Sequence, residues 1–190
     1  SRTLRVFCLG GSTVQGRPYS VQTSFTAWLE LCLEAADQTR DFEVINCGGI
    51  SYASYRLVPI LCELLDYEPD LFILCTGHNE FLEDRTYGPL KKTPHALVKL
   101  HRTLLHLRSY ALANHYIRRD SVNSPKTVLG PEVRTKLDLK ESLAAYHRDD
   151  SWRDRIVSDF RHNLEVMVQA AQQAGVPVIL VNPPSNLKDC

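Results

Sequence analysis

Apolar residues gather along the chain in four short runs without polar alternation: LRVFCL (4–9), FEVINC (42–47), DLFILC (70–75) and VPVILV (176–181). Runs of about six successive apolar residues predict strands buried on both faces, as in a parallel sheet covered by helices. The segments between them repeat at helical spacing. Residues 24–39 place Phe25, Trp28, Leu29, Cys32 and Ala36 on one face, and residues 54–67 do the same with Leu57, Leu61, Leu64 and Leu65. The EPD triplet (68–70) stops the second helix ahead of the third strand. A last helix over 151–174 carries Ile156, Phe160, Leu164, Met167 and Ala171 at intervals of three or four. Ser151 or Asp150 is its expected N-cap and Gly175 its C′ residue. The order β-α-β-α-β-insert-α-β predicts an α/β fold, a three-layer α/β/α sandwich on a parallel sheet.

Residues 85–150 break the pattern. They hold an amphipathic, basic stretch near 95–119 (HALVKLHRTLLHLRSYALANHYIRR) and then a polar one, DSVNSPKTVLGPEVRTK. A helical insertion in a single domain is the expectation, with a cap over a site or a docking surface as the alternative. There is no internal repeat.

Composition narrows the classes. The 190 residues suit one domain with a sizeable core, and 44% hydrophobic with 23% charged is ordinary for a globular protein. Lys plus Arg and Asp plus Glu are both 22, so nothing in the charge favours nucleic acid. No apolar run approaches the roughly 20 residues that span a bilayer. The chain begins at Ser1 without Met and enters a strand almost at once, so a piece of a longer protein is expected and its localisation is left open. Of the six cysteines (Cys8, Cys32, Cys47, Cys62, Cys75 and Cys190), none pair as CxxC. Cys8, Cys32, Cys62 and Cys75 lie in apolar stretches and are expected to be buried free thiols. No histidine cluster has ligand spacing, so no metal is expected.

The chemistry concentrates after the strands. Ligands of open parallel sheets bind beyond the carboxyl ends of the strands. There the chain has Gly10-Gly11-Ser12-Thr13 after the first strand, NCGGISYASYR from Asn46 after the second, and TGHNEF, with His78, Asn79 and Glu80, after the third. Ser12 has three readings. As a phosphate binder it lacks the Lys-Ser or Lys-Thr of a P-loop, because Arg17-Pro18 follows Gly16, and GGSTVQG is no GxGxxG. As a helix cap it needs no chemistry. As a nucleophile it needs a tight strand-to-loop turn and donors for an oxyanion. Glycines at 10 and 11 permit the turn, and backbone N–H groups with the Asn79 amide are candidate donors.

These residues resemble an SGNH hydrolase of the GDSL esterase/lipase superfamily over about 4–82, and more loosely over 151–184. LGGSTVQG is similar to block I, with Gly-Gly-Ser where many members have Gly-Asp-Ser. GHNE is similar to block III, with Glu80 for Asp. NCGGIS matches block II at Asn46 and Gly48 but has Ser51 where glycine is usual. The resemblance implies a flavodoxin-like fold, Ser12 as nucleophile, Asn79 as an oxyanion-hole donor and the Ser51 backbone as another. Gly48 or Gly49 substitutes for Ser51 if the register shifts. His78 is a candidate pocket-lining residue, and Glu80 is expected to secure its own loop.

The family's fourth block is Asp-x-x-His, whose histidine takes the nucleophile's proton and whose acid orients it. Among the seven histidines only His162 has an acid three residues before it, Asp159, and that pair sits mid-helix on an expected solvated face. We therefore expect the fifth strand and block IV beyond Cys190. The implied function is an ester hydrolase working through an acyl-serine, with no metal or organic cofactor. Transfer of the acyl group to a carbohydrate hydroxyl, a non-catalytic binding module of the same fold, and a nucleotide-binding α/β protein are the alternatives. The expected partner is a small-molecule or carbohydrate ester.

Overall fold

Among the described residues, strand β1, Leu4–Gly10, lies inside a four-stranded sheet of order β2-β1-β3-β4, flanked by β2 (Phe42–Gly48) and β3 (Leu71–Cys75), with β4 (Val178–Leu180) at one edge. Every pairing is parallel. The computed structural model describes residues 3–84 and 148–182. The chain divides into two compact units, one of Ser1–Arg85 with Lys140–Cys190 and the other of Thr86–Leu139. The second unit, with most of the expected 85–150 insertion, lies outside the described residues.

Period-two alternation of side chains sorts the strand residues onto two faces. Phe7, Leu9, Phe72 and Leu74 face one way and pack with Leu57 and Leu61 of α3 (Ser54–Leu64) and with Met167 and Ala171 of α4 (Asp150–Gln173). Val6, Cys8, Ile73 and Cys75 face the other way with Val14, and Leu29 and Leu33 of α2 (Phe25–Ala36) close that side. Three layers result, as the apolar runs predicted. Burying Leu57 and Leu61 completely stabilises the fold by about 1.5–3 kcal/mol each.

Helix α4 ends as expected. Gly175 adopts φ +72°, the Val176 N–H donates to the Ala171 carbonyl at 2.9 Å, and the Gly175 N–H donates to the Gln172 carbonyl at 3.0 Å. That is the Schellman arrangement. Its start differs: Asp149, not Asp150 or Ser151, is the cap, accepting from the Trp152 N–H at 2.9 Å. Helix α2 also differs. Trp28 is 62% and Leu31 58% exposed, and Phe25, Cys32 and Ala36 are exposed as well, while Thr26, Leu29 and Leu33 turn inward. Asn46 on β2 faces this helix, and its amide needs the polar partners that Ser24 and Thr26 supply. The thiols of Cys8 and Cys75 are buried, Cys47 is half-buried, and Cys32 and Cys62 stand exposed on outer helix faces, all five free. Burial pushes the Cys8 thiol up to about 12 and those of Cys47 and Cys75 upward too, so none is a ready nucleophile.

Candidate active site

Sheet register brings the three loops level. Gly10 pairs with Gly48 of β2 and with Cys75 of β3, so the chain leaves all three strands at one height. Gly10 has no room for a side chain: a Cβ there would lie 2.1 Å from the Cys75 carbonyl oxygen. Ser12 then opens a single helical turn, α1 (Ser12–Gln15), closed by Gly16 at φ +113°. Gly11 is the N-cap, and no side chain caps this turn. Ser12 is half-buried, and among the described residues its hydroxyl makes no hydrogen bond. The capping reading of Ser12 therefore fails, and a serine with an uncommitted hydroxyl remains.

Asn46 fixes this turn from below. Its Nδ2 lies 2.8 Å from the Val14 carbonyl, 3.0 Å from Thr26 Oγ1 and 3.2 Å from Ser24 Oγ, while its Oδ1 accepts the Gly48 N–H at 2.9 Å. One amide thus ties α1, the start of α2 and the second loop together. The Gly49 N–H donates to the Gly10 carbonyl at 3.1 Å. With the Gly48 N–H engaged by Asn46 and the Gly49 N–H by Gly10 at the end of β1, Gly48 and Gly49 are not the spare donors that a shifted register would supply. Gly48 lies against α1, where a Cβ would stand 2.3 Å from the Gln15 nitrogen.

Ser51 occupies the left-handed region at φ +62°, and among the described residues its N–H has no acceptor. Left-handed backbone costs a non-glycine residue roughly 1–2 kcal/mol, offset by the roughly 0.4–1 kcal/mol of extra unfolded-state entropy that glycine carries. Ser51→Gly is accordingly expected to raise stability by about 0.5–1 kcal/mol in urea unfolding, with Ser51→Val lowering it.

The third loop meets the other two through Asn79. Its Nδ2 donates to the Tyr52 carbonyl at 3.1 Å, and a Cβ on Gly11 would stand only 2.6 Å from the same nitrogen. The amide therefore lies against the residue before Ser12, with one N–H held by Tyr52. Glu80 is buried and accepts from the Ser54 N–H at 2.7 Å and from Ser54 Oγ at 2.9 Å, at the first residue of α3. Asn163 of α4 donates to the same Ser54 Oγ at 2.9 Å. Carboxylates are favourable at helix N-termini, so Glu80 secures the loop as expected and also caps α3. His78 is exposed, as are Asp159 and His162, whose Asp-x-x-His spacing lies on the solvent face of α4. The other five histidines and Cys190 fall outside the described residues.

Sequence reasoning missed Tyr52, whose carbonyl holds Asn79, Ser54, and the Arg56–Glu83 pair at 2.7 Å. Glu80 and Glu83, three apart and so on one helical face, were the available signal. Burial and then the neighbouring Glu83 carboxylate push the Tyr55 phenol up to about 12, so it stays protonated and neutral. Among the described residues no three His, Cys, Asp or Glu stand together for a metal, and no helix is long and apolar enough to cross a membrane.

No family model matches the chain, and no curated protein does. Solved structures do. An aspartate-to-alanine variant of the esterase AlinE4 aligns over 98% of this chain and 64% of its own, with 16% identity and a TM-score of 0.51. A serine-to-alanine variant of AlinE4 gives the same coverage and TM-score at 15% identity. TesA aligns over 97% of this chain and 64% of its own, at 16% identity and a TM-score of 0.49. AlinE4 is an SGNH-hydrolase family esterase. The chain shares the fold of AlinE4 and spans 64% of that protein's length.

Proposed function

We propose that this chain supplies the nucleophile and oxyanion-binding elements of a serine esterase of the SGNH type. Ser12 Oγ attacks the ester carbonyl carbon, and the developing oxyanion takes hydrogen bonds from the Ser12 N–H, the Ser51 N–H and the free N–H of Asn79. Ser12 opens α1, so its own N–H has no partner within the helix. Collapse of the tetrahedral species breaks the bond to the alcohol oxygen and leaves an acyl-serine, which water then cleaves to the acid. The Ser12 proton passes to a general base and from there to the leaving alkoxide. Among the described residues no histidine hydrogen-bonds Ser12. The base is assigned to a histidine outside them, with its orienting acid.

The observation that carries this reading is the placement of one uncommitted serine hydroxyl at the carboxyl end of β1, with the Asn79 amide packed against the preceding residue. A helix cap would have spent that hydroxyl on the backbone. The esterase character of AlinE4, its neighbour in fold, supports the reaction class.

Treating the full polypeptide with a fluorophosphonate tests it. Attack by Ser12 Oγ on phosphorus expels fluoride, so intact mass is expected to rise by one phosphonyl group that peptide mapping places on Ser12. Labelling elsewhere, or none, removes the nucleophile from the proposal and leaves a binding module of the same fold.

A further inference from the structure

Residues 79–84 grip the second loop and the start of α3 at three successive points. Asn79 donates to the Tyr52 carbonyl at 3.1 Å, Glu80 accepts from Ser54 at 2.7 and 2.9 Å, and Glu83 Oε1 accepts from Arg56 Nε at 2.7 Å. The partners advance in step along both segments, 79 with 52, 80 with 54, and 83 with 56. The Glu83 N–H also donates to the Asn79 carbonyl at 2.8 Å, one helical turn back, so the two residues share a rigid backbone unit. The Arg56 guanidinium carbon lies 5.9 Å from the ring centre of Tyr52 and 5.4 Å from that of Tyr55. Arg56 therefore contacts Tyr52, whose carbonyl holds Asn79, and also Glu83, whose backbone bonds to Asn79.

Stability alone explains this pair poorly. Glu83 is 1% exposed beside an Arg56 side chain that is 37% exposed. An ion pair that strips water from one partner while the other stays wet is often no better for stability than apolar residues of the same volume. An ion pair does fix a separation and an orientation, which an apolar contact leaves looser. We propose that the Arg56–Glu83 ion pair is a positioning device. It holds the turn 79–84 against the second loop so that the Asn79 Nδ2 stays against Gly11. Neither residue falls in the motifs that carry the family resemblance. The consequence for catalysis rests on the esterase reading above; the geometric role does not.

Two readouts on the full chain separate these claims. The first is the side-chain ¹⁵NH₂ resonance pair of Asn79, assigned by its loss in Asn79→Asp. The combined variant Arg56→Met, Glu83→Leu removes both charges, and Glu83→Gln keeps the volume of the carboxylate where the combined variant fails to fold. In either variant the Asn79 signals are expected to move toward free-amide positions and to exchange faster with solvent. The second readout is p-nitrophenyl acetate hydrolysis. Misplacement by about 1 Å costs roughly 10²-fold, so kcat is expected to fall about 10- to 100-fold while KM stays within about twofold. Arg56→Lys, which keeps the charge without the planar fork, is expected to fall between. Unmoved Asn79 signals in a folded variant overturn the proposal, whatever the kinetics. Signals that move in a chain whose Ser12 takes no fluorophosphonate leave the positioning role standing and remove the esterase reading.

Discussion

Ser12→Ala in the full chain is expected to lower p-nitrophenyl acetate turnover by about 10⁴-fold or more while leaving the melting temperature almost unchanged. The two halves of that result come from the same geometry. The Ser12 hydroxyl makes no hydrogen bond among the described residues, and Gly11 is the N-cap, so alanine removes no contact that holds α1 in place. Substitutions at such positions stay within about 0.5 kcal/mol of the starting stability. A nucleophile has no substitute, by contrast, because the acyl-serine cannot form without its oxygen. Loss of turnover together with a large drop in melting temperature would make Ser12 a structural residue. Turnover that persists would sink the nucleophile outright.

The next largest effect is expected at Asn79. Asn79→Ala should lower kcat by about 10²–10³-fold, which is about 3 kcal/mol of transition-state stabilisation, with a much smaller change in KM. The Tyr52 carbonyl loses its partner but lies in a part-buried loop, so the stability change is expected to be about 1 kcal/mol. Gly11→Ala attacks the same amide from the other side. Its backbone, at φ −84° and ψ −156°, suits any residue, but the new Cβ would stand 2.6 Å from Asn79 Nδ2. The end of a flexible side chain gives way before backbone does, so this variant is expected to lower kcat in the same direction and by less. Combining it with Asn79→Ala should add nothing further, because both act on one donor. Additive losses would show that Gly11 acts by a separate route.

The strands were legible as apolar runs, and the observed bounds fall within two residues of the expected ones. Burial on both faces, however, holds for the inner strands β1 and β3 and not for the edges, where Glu43 of β2 and Ile179 and Leu180 of β4 are exposed. The face of α2 was not. Counting apolar positions put Phe25 and Trp28 inside, whereas half-buried Asn46 draws Ser24 and Thr26 toward itself from 22 and 20 residues away. A pattern within one helix carries no trace of a polar partner on another strand. The placement of Ser12 and Asn79 after strand ends was legible, and sheet register then brings their loops together. The contacts that set Asn79, through Tyr52 and through Arg56 with Glu83, depend on how α3 begins against the third loop. Neither spacing nor composition encodes that approach. The cap of α4 shows a smaller version of the problem, since Asp149, Asp150 and Ser151 all suit the role and only backbone geometry chooses among them.

The pairing of β3 with β4 has a bearing on how freely this fold accepts added sequence. Phe72 and Val178 are neighbours in the sheet yet stand about 100 residues apart along the chain, where a helical crossover needs about 30. Closure entropy grows only with the logarithm of loop length, so the longer excursion costs about 1 kcal/mol more than the shorter one. A connection at this point of the chain is thus a low-penalty place for sequence to grow, while Ser12 and Ser51 belong to crossovers completed before it and Asn79 stands at its very start, four residues past β3.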